Sequence, residues 1–171
     1  RPDLVNPLRA QDGLYAVRVA DGQGVQWQVP GALWRMNVAA TERDAVVQAI
    51  AAPSTRWVTL TVTEKGYTPT LAQLLLDGLR MRQQAGLPGT TIASCDNLQG
   101  NGHKLQAMVK AAATAQDADV LRWLDAHCAF PCSMVDRIVP AATPEVMAAA
   151  QEALGVQDQC ALSTEGFWEW V

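Results

Sequence analysis

Apolar and polar positions alternate over residues 14–19 and again over 25–29, with β-branched and aromatic side chains on the apolar beats. Asp21-Gly22-Gln23-Gly24 lies between the two runs as turn material, so the pattern predicts a β-hairpin. Ala45, Val46, Ala49 and Ile50 then fall on one helical face, with Thr41 placed to cap that helix and Pro53 to end it. Residues 57–63 form the strongest predicted strand, because Val58, Leu60 and Val62 alternate with threonines. Leu71, Leu74, Leu75 and Leu79 at helical spacing predict a helix over 69–84, and Gly86 is its stop signal. A second short strand is predicted over 90–95, followed by the polar, glycine-rich turn of residues 96–102. Leu105, Met108 and Val109 place an inward face on a helix starting near His103. Two more helices are predicted over 119–128 and 144–154, the latter ended by Gly155. Strand, helix, strand, helix is the order of an α/β domain with parallel pairing and crossover helices.

Composition narrows the function classes. The 171 residues are 49% hydrophobic and 18% charged, enough apolar material for one core, so a single domain over 1–171 is expected. The 12 glycines and 9 prolines follow no period, no apolar run reaches membrane-spanning length, and neither an internal repeat nor a low-complexity segment is visible. The net charge is −4 and the basic residues are spread along the chain, which disfavours a nucleic-acid partner. Cys95, Cys128, Cys132 and Cys160 are too few and too irregularly spaced for a disulfide scaffold, so reduced thiols and a cytoplasmic setting are expected. The start, Arg1-Pro2-Asp3-Leu4, has neither an export signal nor a methionine, and reads as a piece of a longer protein.

In open α/β sheets a ligand sits beyond the carboxyl ends of the strands, which directs attention to the polar residues that follow them. Two clusters qualify. In Thr63-Glu64-Lys65-Gly66-Tyr67 the glycine allows a sharp turn and the Glu64 carboxylate is aimed at the mouth of the sheet. In Cys95-Asp96-Asn97 an acid and an amide are presented on a loop leading into a helix, where a carboxamide can donate to a developing oxyanion without changing charge. Each has a plainer alternative. Glu64 can be a solvated carboxylate paired with Lys65, Asp96 and Asn97 can cap the next turn, and Asp136-Arg137 can be an ordinary ion pair. His103, alone at a helix start, fits a structural role better than a catalytic one.

Gly100-Asn101-Gly102-His103-Lys104-Leu105 follows a strand and opens a helix, as a dinucleotide fingerprint does, but Leu105 stands at its third glycine position. Cys128 and Cys132 beside His127 lack the further ligands of a four-coordinate zinc site, so no metal is expected.

Taken in order, residues 59–67 (with Thr63-Glu64-Lys65-Gly66-Tyr67), 94–102 (with Cys95-Asp96-Asn97) and 129–140 (with Met134-Val135-Asp136-Arg137) resemble the polyol-specific long-chain dehydrogenases. This is the family of mannitol 2-dehydrogenase and fructuronate reductase, also called mannonate oxidoreductase. Gln11-Asp12-Gly13-Leu14-Tyr15 and Ser163-Thr164-Glu165 extend the resemblance over almost the whole chain. It implies a Rossmann-like open sheet with flanking helices, corresponding to the later part of an NAD-binding domain. The family's glycine fingerprint would precede this segment, and its helical domain, with a catalytic lysine in a Lys-x4-Asn-x2-His motif, would follow. None of Lys65, Lys104 and Lys110 has asparagine five residues on. The family also has a longer segment after the Thr-Glu-x-Gly-Tyr motif, whereas here Tyr67 runs almost directly into Thr68-Pro69.

The resemblance assigns Asn97 to the oxyanion site and the cofactor, Thr63 to the cofactor, Asp136 to substrate positioning and Glu64 to the proton route. It implies that positions 64, 97 and 136 converge on the carbon that gives up or receives a hydride. The cofactor implied is NAD, with NADP left open, and the substrate is a small sugar alcohol or uronate. The segment alone is expected to be inactive. The alternative is a non-catalytic scaffold that self-associates through an apolar patch of Trp123, Trp168 and Trp170.

Overall fold

The computed structural model describes residues 2–171. In chain order the elements are α1 (Pro2–Ala10), β1 (Val17–Asp21), β2 (Gly24–Gln28), α2 (Arg43–Ala51), β3 (Trp57–Leu60), α3 (Pro69–Gln84), β4 (Thr91–Ser94) and α4 (Asn101–Ala111). They continue with α5 (Ala118–His127), β5 (Val135–Asp136), α6 (Pro144–Leu154), β6 (Leu162–Glu165) and β7 (Glu169–Trp170). Single 3-10 turns lie at Glu64–Gly66 and Ala115–Asp117. The chain divides into two compact units, residues 2–38 with Asp136–Glu169, and Ala39–Val135 with Trp170–Val171. No helix among the described residues is long and apolar enough to cross a membrane.

The first unit is built on the predicted hairpin. β1 and β2 pair antiparallel from Val17↔Gln28 to Asp21↔Gly24, and Asp21 Oδ1 accepts from the Gln23 amide to close the turn. β6 adds to the other side of β1 in parallel, from Val17↔Leu162 to Ala20↔Glu165. α6 packs through Ala150 against Ala16 and Ala161, with Trp27, Val146 and Met147 around them. Asp158, buried, ties this unit's turns together by accepting from the Ala16 amide at 2.5 Å and from Gln11 Nε2 at 2.8 Å.

The second unit is a parallel α/β unit. β3 and β4 pair from Trp57↔Thr91 to Leu60↔Ser94, and the crossover between them is α3. Thr68 starts that helix by accepting from the Leu71 amide, Pro69 occupies its first position, and Gly86 at φ 64° closes its far end. Leu75, Leu76 and Leu79 meet Ile50, Ile92, Leu105, Val109, Val120, Leu124 and Phe130 in the core. A Cβ on Gly78 would lie 2.5 Å from Ile50 Cγ2, so the close approach of α2 and α3 requires glycine there.

The Rossmann-like α/β class holds, with four adjustments. Glu42, not Thr41, is the N-cap of α2, which starts one residue later than a Thr41 cap would allow. The strand predicted over 57–63 leaves its ladder at Leu60, because Ser94 is its last partner and the chain then turns into the 3-10 segment. α4 begins at Asn101, slightly ahead of His103, since left-handed Gly100 (φ 69°) is where the backbone changes direction. Trp123 is half buried against the second unit's core and stacks near His127, whereas Trp168 and Trp170 are exposed. The proposed three-tryptophan patch therefore loses one member to packing. All four cysteines are free thiols, and no three His, Cys, Asp or Glu side chains among the described residues cluster to hold a metal ion.

Candidate functional site

The parallel register brings Leu60 and Ser94 level, and the Cys95 amide donates to Leu60 O at 2.7 Å, so the loops after β3 and β4 leave the same sheet edge side by side. After β3 the chain makes one 3-10 turn, closed by the Gly66 amide donating to Thr63 O at 2.7 Å. Gly66 is needed for space: a Cβ there would sit 2.8 Å from Val62 Cβ. Tyr67 and Thr68 alone connect this turn to α3.

Tyr67 ties the two loops together. Its ring lines an apolar groove of ≈ 250 Å³ with Pro69, Ala72 and Met108, and its polar tip emerges at the strand ends. The hydroxyl donates to Asp96 Oδ2 at 2.8 Å and hydrogen-bonds Ser94 Oγ at 2.7 Å. Burial, reinforced by the Asp96 carboxylate, holds this phenol above its ordinary pKa despite the opposing Ser94 bond, so it stays a donor at neutral pH. Asp96 Oδ1 accepts from Asn101 Nδ2 at 2.8 Å and from the Leu98 amide at 3.4 Å. The turn-capping alternative thus describes Asp96. Burial and the Asp96 charge raise the Cys95 pKa, which keeps that residue a thiol and a poor nucleophile.

Asn97 is held differently. Its side chain is exposed, and its Oδ1 accepts from the Val135 amide at 3.2 Å. A backbone N–H can only donate, so this contact fixes which end of the carboxamide is oxygen. Among the described residues no acceptor takes the Nδ2 hydrogens, which leaves two N–H donors presented at the carboxyl end of β4. A turn-capping role does not describe Asn97, whose partner is 38 residues away.

Glu64 is exposed in the 3-10 turn after β3, and no ion pair joins it to Lys65. Thr63, exposed, precedes that turn as its N-cap residue, yet its hydroxyl makes no cap hydrogen bond. Asp136 is exposed in β5 and belongs to the first unit. Its neighbour Arg137 donates to Thr164 Oγ1 at 2.9 Å and Glu165 O at 3.4 Å, so in place of the alternative ion pair with Asp136 it makes hydrogen bonds to β6. Glu64, Thr63 and Asn97 therefore share one sheet edge of the second unit, and Tyr67, Asp96 and Asn101 form the network beneath them. The sequence pointed to Asp96 as the acid of a candidate ligand loop or as a turn cap, and to Tyr67 only as a motif member; nothing in the spacing pointed to Asn101.

A family model described as the mannitol dehydrogenase Rossmann domain matches residues 1–171. D-mannonate oxidoreductase of Escherichia coli (strain K12) is 34% identical over 98% of this chain and 40% of its own length. Mannitol 2-dehydrogenase of Cereibacter sphaeroides is 35% identical over 96% of this chain and 39% of its own. Among solved structures, Pseudomonas fluorescens mannitol 2-dehydrogenase in ternary complex with NAD and D-mannitol superposes with a TM-score of 0.88 at 27% identity, covering 98% of this chain and 39% of that one. A D-sorbitol dehydrogenase in substrate-free form gives the same TM-score at 29% identity. The chain spans about 40% of the length of these relatives. With the motifs in order, the parallel unit and the match over its full length, the chain belongs to the mannitol dehydrogenase family, as Rossmann-domain sequence.

Proposed function

We propose that this chain is part of an NAD-dependent oxidoreductase that interconverts a sugar alcohol or aldonate and the corresponding ketose or ketouronate by hydride transfer. The Asn97 carboxamide carries the reading: its oxygen is engaged by the Val135 amide and its two N–H groups face outward at the carboxyl end of a parallel strand. That is where an open α/β sheet binds its ligand.

The donor set fits the nicotinamide-ribose end of NAD. The uncommitted Thr63 hydroxyl and Asn97 Nδ2 are neutral groups, suited to a carboxamide and to ribose hydroxyls. When bound, NAD supplies the centre that accepts or releases the hydride. Asn97 Nδ2 donates to the substrate oxygen and stabilises the negative charge that grows there as its proton leaves. The Glu64 carboxylate, without an ion pair among the described residues, accepts and passes on that proton at the surface. The resemblance assigns Asp136 to substrate positioning, and its exposed carboxylate is an acceptor suited to hydroxyl groups. None of the three lysines of the sequence matches the family's base motif, so the test uses the enzyme that contains this segment.

In that enzyme Asn97→Ala lowers kcat for NADH-dependent ketose or ketouronate reduction by about 10²-fold or more, the usual scale for removing one oxyanion donor. KM changes much less, because the interaction is strongest in the transition state. An unchanged kcat/KM removes Asn97 from the mechanism.

A further inference from the structure

We infer that Asn101 is a positioning residue that aims the Asn97 carboxamide. The inference rests on the assignment of Asn97 as donor to the substrate oxygen and names what holds it in place.

Asn101 opens α4 with its side chain fully buried, so its carboxamide must find partners inside the protein. Its partners lie on three separate stretches of chain. Oδ1 accepts from the Gly102 amide at 2.8 Å and the Ser133 amide at 3.1 Å. Nδ2 donates to Ser133 O and Asp96 Oδ1, both at 2.8 Å, and lies 3.1 Å from Ser94 O and Asp96 O. Towards Ser133 the side chain thus acts like a peptide group in a ladder, accepting from its N–H and donating to its C=O. Space for this is made by Gly102, where a Cβ would fall 2.4 Å from both Phe130 O and Pro131 O.

Both anchors of Asn97 run through this one side chain. Asp96, the preceding residue, is bonded to Asn101 through its carbonyl and its carboxylate. Val135, whose amide fixes Asn97 Oδ1, lies two residues beyond Ser133. Asn101 lies inside α4, whose N-cap is Gly100, so these contacts are not a helix cap; those to Asp96 and Ser133 join the Asn97 loop to the strand that orients its side chain. Removing the Asn101 carboxamide leaves Ser133 tied to the end of β4 only through its hydroxyl on Ser94 O, and Val135 then holds Asn97 less firmly in one orientation.

The test is hydrogen exchange and amide NMR on the isotope-labelled 171-residue chain, comparing the native sequence with Asn101→Ser and Asn101→Asp. In either folded variant the Val135 amide exchanges about tenfold faster or more relative to the Ile92 amide, the scale on which losing one or two hydrogen bonds shifts an opening equilibrium. The Asn97 side-chain NH2 signals move toward those of a free amide, a signature that loss of general stability does not produce. A folded variant in which the Val135 rate ratio and the Asn97 NH2 signals are unchanged overturns the inference. If neither variant folds, exchange in the native chain across a denaturant series decides: Val135 N–H opening together with the Asn101 side-chain NH2 supports the coupling, and Val135 opening at lower denaturant overturns it. Unaltered turnover in Asn97→Ala would end the catalytic assignment and leave this coupling standing, whereas uncoupled exchange would end the coupling alone.

Discussion

Arg82 is 1% exposed, and among the described residues no carboxylate pairs with its guanidinium. A buried cation is tolerable only when its donors are met and a negative potential surrounds it. Arg82 meets both conditions through carbonyls. Nη1 donates to Ile50 O at 3.1 Å and Ala52 O at 2.7 Å, while Nε and Nη2 converge on Pro88 O. Ile50 and Ala52 lie at the C-terminal end of α2, where the aligned peptide dipoles place partial negative charge. One side chain therefore caps α2 and fastens the turn leading into β4. Arg82→Met keeps the apolar stem but strands the Ile50 and Pro88 carbonyls, while Ala52 O keeps the Thr55 amide at 3.0 Å. With each buried polar group left unpaired costing about 1–3 kcal/mol, the variant loses about 2 kcal/mol or more of unfolding free energy in urea titrations. A loss below about 1 kcal/mol would mean that water replaces the guanidinium without strain.

Between elements, the arginine at position 80 binds α3 to the turn ahead of α5. Asp117 accepts from Arg80 Nε at 2.9 Å and also from the Thr114 amide at 2.8 Å, closing a capping box. Asp77 accepts from Arg80 Nη1 at 2.5 Å, from Gln73 at 2.9 Å and from Arg43 on α2. The Thr114 amide and Arg80 hold the Asp117 carboxyl below its ordinary pKa. For Asp77 burial works upward, and the donors from Arg43, Gln73 and Arg80 outweigh it. A carboxylate with a depressed folded-state pKa contributes stability above its unfolded value, about 3.9, and that contribution fades as pH falls through the folded value. The contribution of these two carboxylates is therefore level from neutrality down to the ordinary carboxylate range and drops below it. In Asp117→Asn the chain is weaker at neutral pH and its acid dependence is flatter; an unchanged slope would exclude Asp117 as a contributor. Elements with local signals were legible in the sequence: α3, with Thr68, Pro69, its leucine spacing and Gly86, and α6, ended by Gly155, match their predicted bounds. β6 was not legible, because Leu-Ser-Thr-Glu carries one apolar residue and becomes a strand only by pairing with β1. α1 contains Pro7, which argues against a helix on local grounds. In the site, Asn97 was legible because it directly follows a strand. Asn101 was not, because its defining partner Ser133 is 32 residues away and an asparagine between glycines reads as turn material.

At the scale of the chain, the two units bury very different interiors. The second has ten fully apolar core members, Leu75, Leu76, Leu79, Ile92, Leu105 and Leu124 among them, each at 1% exposure or less. The buried cluster of the first consists of three alanines, Ala16, Ala150 and Ala161. Burying a leucine or isoleucine contributes about 1.5–3 kcal/mol and an alanine far less, so the first unit holds less hydrophobic free energy per residue. Hydrogen bonds compensate in part: Asp158 accepts from the Ala16 and Cys160 amides and from Gln11, and β1 is paired on both sides. Those bonds contribute only about 1 kcal/mol each, too little to close a gap set by several missing aliphatic side chains. Cooperative units of unequal burial open at unequal free energies. In hydrogen exchange across a urea series, the Val17, Val19 and Leu162 amides of the first unit are expected to open at lower denaturant than Leu75, Leu79 and Ile92 of the second. The three alanines also mark where to intervene. Ala150→Ser puts a hydroxyl into the smaller core and should advance the opening of Val17 and Leu162 while leaving Ile92 in place. Coincident opening of all these amides, in the native chain and in the variant alike, would show instead that the 171 residues unfold as one cooperative body.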